Sequence, residues 1–152
     1  MRVTIAAVGR DRSGPTRDLF EEYCRRCPWP IRLLEIPPRT TAPLERRRAE
    51  EAERLSSAIS GHSALIALDE NGRNLTSRAL AAKIGAWQRH GRSELAFLIG
   101  GPDGLDPALI ERADLVLALG RMTWPHRLVR VLLVEQLYRA ATILAGHPYH
   151  RD

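Results

Sequence analysis

Cysteine is nearly absent from this chain: Cys24 and Cys27 are the only two in 152 residues. Two thiols cannot make a disulfide framework, which points to a reducing compartment. Lysine is scarcer still. Lys83 stands alone, so arginine supplies the rest of the 23 basic side chains against 18 acidic ones, for a net charge of +5. No hydrophobic run approaches the ~18 residues of a membrane span. The apolar start Val3–Val8 is closed by Gly9 and charges, too short for a signal-peptide core. A soluble cytoplasmic protein with no membrane partner is expected. There is no G-x-G-x-x-G and no G-K-[ST], which argues against a dinucleotide-binding or P-loop protein. His, Cys, Asp and Glu nowhere cluster at metal-ligand spacing, so no metal is expected. Repeats, linkers and low-complexity stretches are lacking, so residues 1–152 read as one domain.

What is present is an alternation of short apolar runs and amphipathic segments. Strands are expected at Val3–Val8, Ile31–Ile36, Ala64–Leu68, Leu95–Ile99 and Leu115–Leu119. Helices are expected at Pro15–Arg26, from Pro43 to about Ser60 with Gly61 ending it, from Thr76 to about His90, from Pro107 to about Ala113, and from Pro125 to Ala145. Asp106 and Pro107 form an N-cap with an N1 proline, and Gly146 fits the position after the last helix. In the second helix Arg46/Glu50, Arg47/Glu51 and Glu50/Arg54 sit four apart and support a solvated face. Asn71-Gly72 reads as a turn. The fold class is α/β, a mostly parallel sheet with helices on both faces. Ligands of such sheets bind beyond the carboxyl ends of the strands, which directs attention to the loops after Val8, Ile36, Leu68, Ile99 and Leu119. The last helix is apolar on more than one face, from Leu128 to Leu144, and a second copy of the chain is the expected cover.

Four constellations carry chemical possibilities. Cys24-Arg25-Arg26-Cys27 is a C-x-x-C, but it lies at a helix end and lacks two further ligands, so structural thiols are the simpler reading. Gly100-Gly101-Pro102-Asp103-Gly104 follows a strand and either turns the chain or lets backbone amides approach a ligand. Gly120-Arg121-Met122-Thr123-Trp124-Pro125-His126 also links a strand to a helix. In it Trp124 either stacks on a base or covers the core, and His126 either serves structure or meets a ligand. His147-Pro148-Tyr149-His150-Arg151-Asp152 is either a solvated tail or an arm for RNA, since it gathers aromatic, imidazole and guanidinium groups.

Three of these segments together resemble one known family. Leu98-Ile99-Gly100-Gly101-Pro102-Asp103-Gly104-Leu105 is the first, and Met122-Thr123-Trp124-Pro125-His126 with Arg130-Val131 the second. The third is Glu135-Gln136-Leu137-Tyr138-Arg139-Ala140 with His147-Pro148-Tyr149-His150-Arg151. In this order they are similar to the RlmH family of ribosomal RNA large-subunit pseudouridine N3-methyltransferases. The likeness runs the whole length, including Val3–Gly9 and Glu35-Ile36-Pro37, and is tightest from Leu98 onward.

The resemblance implies a SPOUT-type fold with a C-terminal trefoil knot, a homodimer, S-adenosylmethionine as cofactor, and a pseudouridine of 23S rRNA in the assembled ribosome as substrate. It places the cofactor at Leu68, Gly100 and the stretch Leu119, Gly120, Arg121, Met122, Thr123 and Trp124. Gly120-Arg121 stands where the family carries other small or polar residues, which puts an Arg beside the cofactor loop, and Asp103 stands where Glu is common. His150, as a base, and Arg139, as a charge beside the developing anion, are the catalytic candidates, with Tyr149 beside them. Arg151, His126 and Arg130 are the candidate RNA contacts. The alternatives are a ribosome-binding protein without activity on the same fold, and a SPOUT methyltransferase for another RNA.

Overall fold

The structure is a computed structural model that describes residues 1–38 and 41–151; the expected tail residue Asp152 lies outside the described residues. Among the described residues there are five strands: β1 Arg2–Val8, β2 Ile31–Ile36, β3 Ala64–Asn74, β4 Glu94–Ile99 and β5 Leu115–Ala118. They form one parallel sheet in the order β2-β1-β4-β3-β5. The helices between them are α1 Pro15–Arg26, α2 Leu44–Ser57, α3 Ser77–Arg89, α4 Pro107–Arg112 and α5 His126–Leu144.

Side-chain alternation along the strands explains the two layers of helix. Val3, Ile5 and Ala7 of β1 join Phe97, Ile66 and Leu137 in one core, whereas Ala6 and Val8 join Leu98, Leu55 and Leu109 in the other. Both faces are therefore buried, the usual condition of a parallel sheet. Helices α1, α3 and α5 cover the first face, and α2 and α4 supply Leu55 and Leu109 to the second.

Local signals account for most helix ends. Thr76 caps α3 by accepting from the Ala79 amide at 3.1 Å, and Asp106 caps α4 by accepting from Ala108 at 2.8 Å. Gly146 follows α5 with φ of 69°, the left-handed position that glycine favours. The expected end of α2 is corrected. The helix stops at Ser57 with Ala58 as its cap, and Gly61 has no positive φ.

The larger correction lies in β3. Asn71-Gly72 does not end the strand; β3 runs on to Asn74. Leu68 and Arg73 both align with Leu117 of β5, so residues 69–72 bulge out between two stretches of pairing. Asp69 shapes the bulge by accepting from the Asn71 amide at 2.8 Å. Gly72 then lies flat on β5, where a Cβ would come within 2.8 Å of the Leu117 carbonyl carbon.

Candidate functional site

The carboxyl ends of β3, β4 and β5 open into one cleft of about 660 Å³. Its floor is apolar, from Leu68, Ile99, Leu117, Leu119 and Val129. The β3 bulge contributes Asp69, Glu70 and Asn71 to one wall, and the glycine loop Gly100–Gly104 contributes the opposite one. Gly100 is obligatory there, since a Cβ would meet the Gly104 carbonyl carbon at 2.7 Å. The loop is a tight return: the Gly104 amide donates to the Gly101 carbonyl at 3.0 Å.

The third wall is the connection from β5 to α5. Gly120 takes φ of 110°, which lets the chain turn back over the strand ends. The Trp124 indole N–H donates to the Leu119 carbonyl at 3.1 Å and closes this loop on itself. The Thr123 hydroxyl reaches Glu70 of the bulge at 3.4 Å. Arg121 to Leu128 are all solvent-facing, although Met122 is 73% exposed and Trp124 and Leu128 are 38% exposed.

The sequence-derived residues divide into three places. Leu68, Gly100, Leu119, Gly120, Met122, Thr123, Trp124 and His126 all line the cleft. Arg121 is exposed and is not among the lining residues.

Arg139, Tyr149 and His150 form a second group, docked on the far half of α5. Arg139 donates through Nε and Nη2 to Glu135 Oε1 at 3.0 and 2.6 Å, and the Tyr149 hydroxyl donates to the same oxygen at 3.2 Å. The Tyr149 ring lies 4.6 Å from that of Tyr138 and 4.8 Å from the Arg139 guanidinium. Burial first, then hydrogen bonding with Tyr23, pushes the Tyr149 phenol up to about 12. Arg139 Nη1 lies 3.3 Å from His150 Nδ1. A guanidinium has no lone pair to offer, so Nδ1 accepts and a neutral His150 carries its proton on Nε2. None of these three residues lines the cleft of its own chain. Glu135 lies nine residues into α5, about 14 Å from its start at 1.5 Å per residue.

Arg130 and Arg151 make the third group. Arg151 is exposed at the end of the tail. The reading of Arg130 as an RNA contact is corrected: it is 3% exposed. Its guanidinium donates to Glu35 at 2.8 Å and to the Val8 and Gly9 carbonyls at 3.2 and 2.9 Å, so its charge is spent inside the protein. The i,i+4 pairing of Arg47 is also corrected. Arg47 turns to Asp103 of the glycine loop, with Nη2 and Oδ2 3.0 Å apart, while Arg46–Glu50 forms as expected.

Sequence reasoning missed the bulge residues Asp69, Glu70 and Asn71, and it missed Leu44 and Arg48 of α2, which also border the cleft. Asn71-Gly72 did mark an irregularity, but nothing in the sequence said that the strand resumes after it. Among the described residues no three His, Cys, Asp or Glu side chains are grouped to hold a metal ion, and no helix is long and apolar enough to cross a membrane.

A five-stranded parallel sheet with a glycine-walled cleft at its carboxyl edge defines an α/β protein built to take a ligand at its strand ends. The family model described as "Predicted SPOUT methyltransferase" matches residues 1–150, and the chain belongs to that family. It is 52% identical over 151 residues to the ribosomal RNA large subunit methyltransferase H of Rhodospirillum centenum, covering 99% of both chains. It is 53% identical over 160 residues to the protein of that name from Brucella anthropi, covering 100% of both. A solved structure of a probable methylase family protein from Haemophilus influenzae superposes with a TM-score of 0.59, over 99% of this chain and 70% of that one. At 14% identity that likeness is one of fold.

Proposed function

We propose that this chain is an S-adenosylmethionine-dependent methyltransferase that modifies N3 of a pseudouridine in 23S rRNA of the assembled ribosome. We read it as one domain that works in the cytoplasm as a homodimer, its C-terminal part threaded as a trefoil knot. The observation that carries the reading is the cleft. Leu68, Gly100 and Leu119–Trp124, from three separate strand ends, meet around one space, with Arg121 outside the lining. Relatives over half identical along the full length carry the name of an rRNA methyltransferase, which supports the substrate class.

The lining fits the cofactor. A nucleoside with a sulfonium needs apolar surface for its base and negative charge nearby. The cleft offers Leu68, Ile99, Leu117 and Leu119 for the first, and the carboxylates of Asp69 and Glu70 for the second. S-adenosylmethionine, when bound, supplies an electrophilic methyl group on sulfur. The glycine loop and the Leu119–Trp124 loop hold and orient the donor, and orientation within about 3–3.5 Å of the acceptor supplies much of the rate.

The acceptor N3 carries an imide proton that must leave. We assign His150 to stabilising the negative charge that builds on the imide oxygens, with Arg139 Nη1 3.3 Å from its Nδ1. The proton then departs to solvent. Because Arg139, Tyr149 and His150 lie away from their own cleft, a second copy must bring its tail to it. The exposed Met122, Trp124 and Leu128 beside the cleft supply an apolar surface for that contact. Arg151 and His126 remain as RNA contacts.

The test combines purified protein, methyl-labelled S-adenosylmethionine and ribosomes lacking the modification, with or without the pseudouridine. Label confined to the pseudouridine-containing ribosomes is the expected result; label in neither sample refutes the proposal. Sedimentation of a monomer mass at all concentrations refutes the dimer.

A further inference from the structure

We propose that Arg47 and Arg48 of α2 are positioning residues for the cofactor, which clamp Asp103 and hold the glycine loop in its binding shape before the ligand arrives. The inference rests on reading the cleft as the methyl-donor site. It starts from what the loop lacks. Gly100, Gly101 and Gly104 give it wide conformational freedom, and fixing such a backbone costs more than fixing any other. Its internal restraint is the short bridge between Gly101 and Gly104. A loop that must meet a ligand in one shape needs a restraint from outside.

Two consecutive arginines supply it. Arg47 holds the Asp103 side chain: Nε donates to Oδ2 at 3.2 Å, with Nη2 3.0 Å from the same oxygen. Arg48 holds the Asp103 backbone: Nε donates to the carbonyl at 2.8 Å, and Nη2 donates to that oxygen as well. Neighbours on a helix point in different directions. They converge on one residue here because one takes its carboxylate and the other its carbonyl. The Arg47 fork also donates through Nη1 to the Ala42 carbonyl at 3.2 Å, tying the entry of α2 into the same unit. Arg48 and Leu44 border the cleft itself, so the clamp joins two of its walls.

The split between side chain and backbone makes the clamp testable. Calorimetric binding of S-adenosylhomocysteine is measured for the wild type, Arg47→Ala, Arg48→Ala, Asp103→Ala and the two Arg/Asp103 double variants. Each arginine variant is expected to bind about tenfold more weakly, the scale of one lost charge-assisted bond. Methyl transfer at saturating cofactor stays near wild type, and Arg47→Lys restores part of the affinity. Arg47→Ala and Asp103→Ala are non-additive, since they remove the same contact. Arg48→Ala and Asp103→Ala are additive, since the carbonyl survives the substitution. Unchanged affinity in both arginine variants, or a fall in turnover without one in affinity, overturns the clamp. A wild type that fails to bind S-adenosylhomocysteine overturns the cofactor reading instead.

Discussion

Arg130 and Glu35, 95 residues apart in sequence, form a 2.8 Å ion pair at the carboxyl edge of the sheet. The pair ties the first turns of α5 to β2, and the same guanidinium reaches the β1 carbonyls of Val8 and Gly9. Glu35 in turn accepts from the Asp11 amide at 2.8 Å, so the loop after β1 hangs on it too. Arg130 thus anchors the helix that carries the Leu119–Trp124 loop.

Removing Arg130 leaves the Glu35 carboxylate with the Asp11 amide but no cation, and takes the guanidinium from the Val8 and Gly9 carbonyls. Arg130→Ala is expected to lose about 3–5 kcal/mol of stability, the range for breaking a buried pair. Urea unfolding measures it. A loss below about 1 kcal/mol, typical of an exposed pair, would place Arg130 back among the surface arginines.

Gly72 tests the β3 bulge. A Cβ there meets the Leu117 and Ala118 backbone at 2.8–2.9 Å, where no flexible side chain can yield. Gly72→Ala should force β3 from β5 and cost about 1–3 kcal/mol, as overpacking does. The displacement also moves Asp69 and Glu70, so cofactor affinity should drop along with the melting temperature. Gly61→Ala, with nothing within 4 Å of its Cβ and no positive φ, serves as the neutral control.

The docked tail should be sensitive to alkali. The Tyr149 phenol titrates near 12 in the folded chain, raised by burial and hydrogen bonding, against about 10 for a free phenol. A raised acid favours its neutral form in the docked state. Its contribution is therefore full below pH 10 and is lost as pH climbs from 10 to 12. The ultraviolet difference between wild type and Tyr149→Phe should show this one phenol ionising near pH 12. A midpoint near 10 would mean that the tail is solvated.

Cys24 should be unreactive. Burial, then the neighbouring Cys27, pushes its thiol up to about 11. Since the thiolate is the nucleophile, the ionised fraction at pH 8 is about a hundredfold below that of an ordinary thiol. Alkylation by iodoacetamide should be slower in proportion. A rate matching free cysteine would reopen a chemical role for Cys24 and Cys27, which are both unpaired thiols.

The sequence by itself determined the layers of this fold and most of its cleft. Apolar runs closed by Gly9 or Gly100 define strands buried on both faces, and caps such as Thr76 and Asp106 define where helices begin. These are local effects, set by residues within a few positions of one another. The family motifs carried Leu68, Gly100 and Leu119–Trp124, which the strand ends bring together.

Only the tertiary structure decided the rest. It showed that β3 resumes past Gly72, because the reason is the backbone of β5, more than forty residues away. It turned Arg130 inward toward Glu35, Arg47 and Arg48 toward Asp103, and the His150 tail onto Glu135 and Arg139 rather than into the cleft. An arginine looks the same in sequence whether it faces solvent, a partner or a carbonyl. Its long side chain finds its acceptor in three dimensions, and only there is its partner decided.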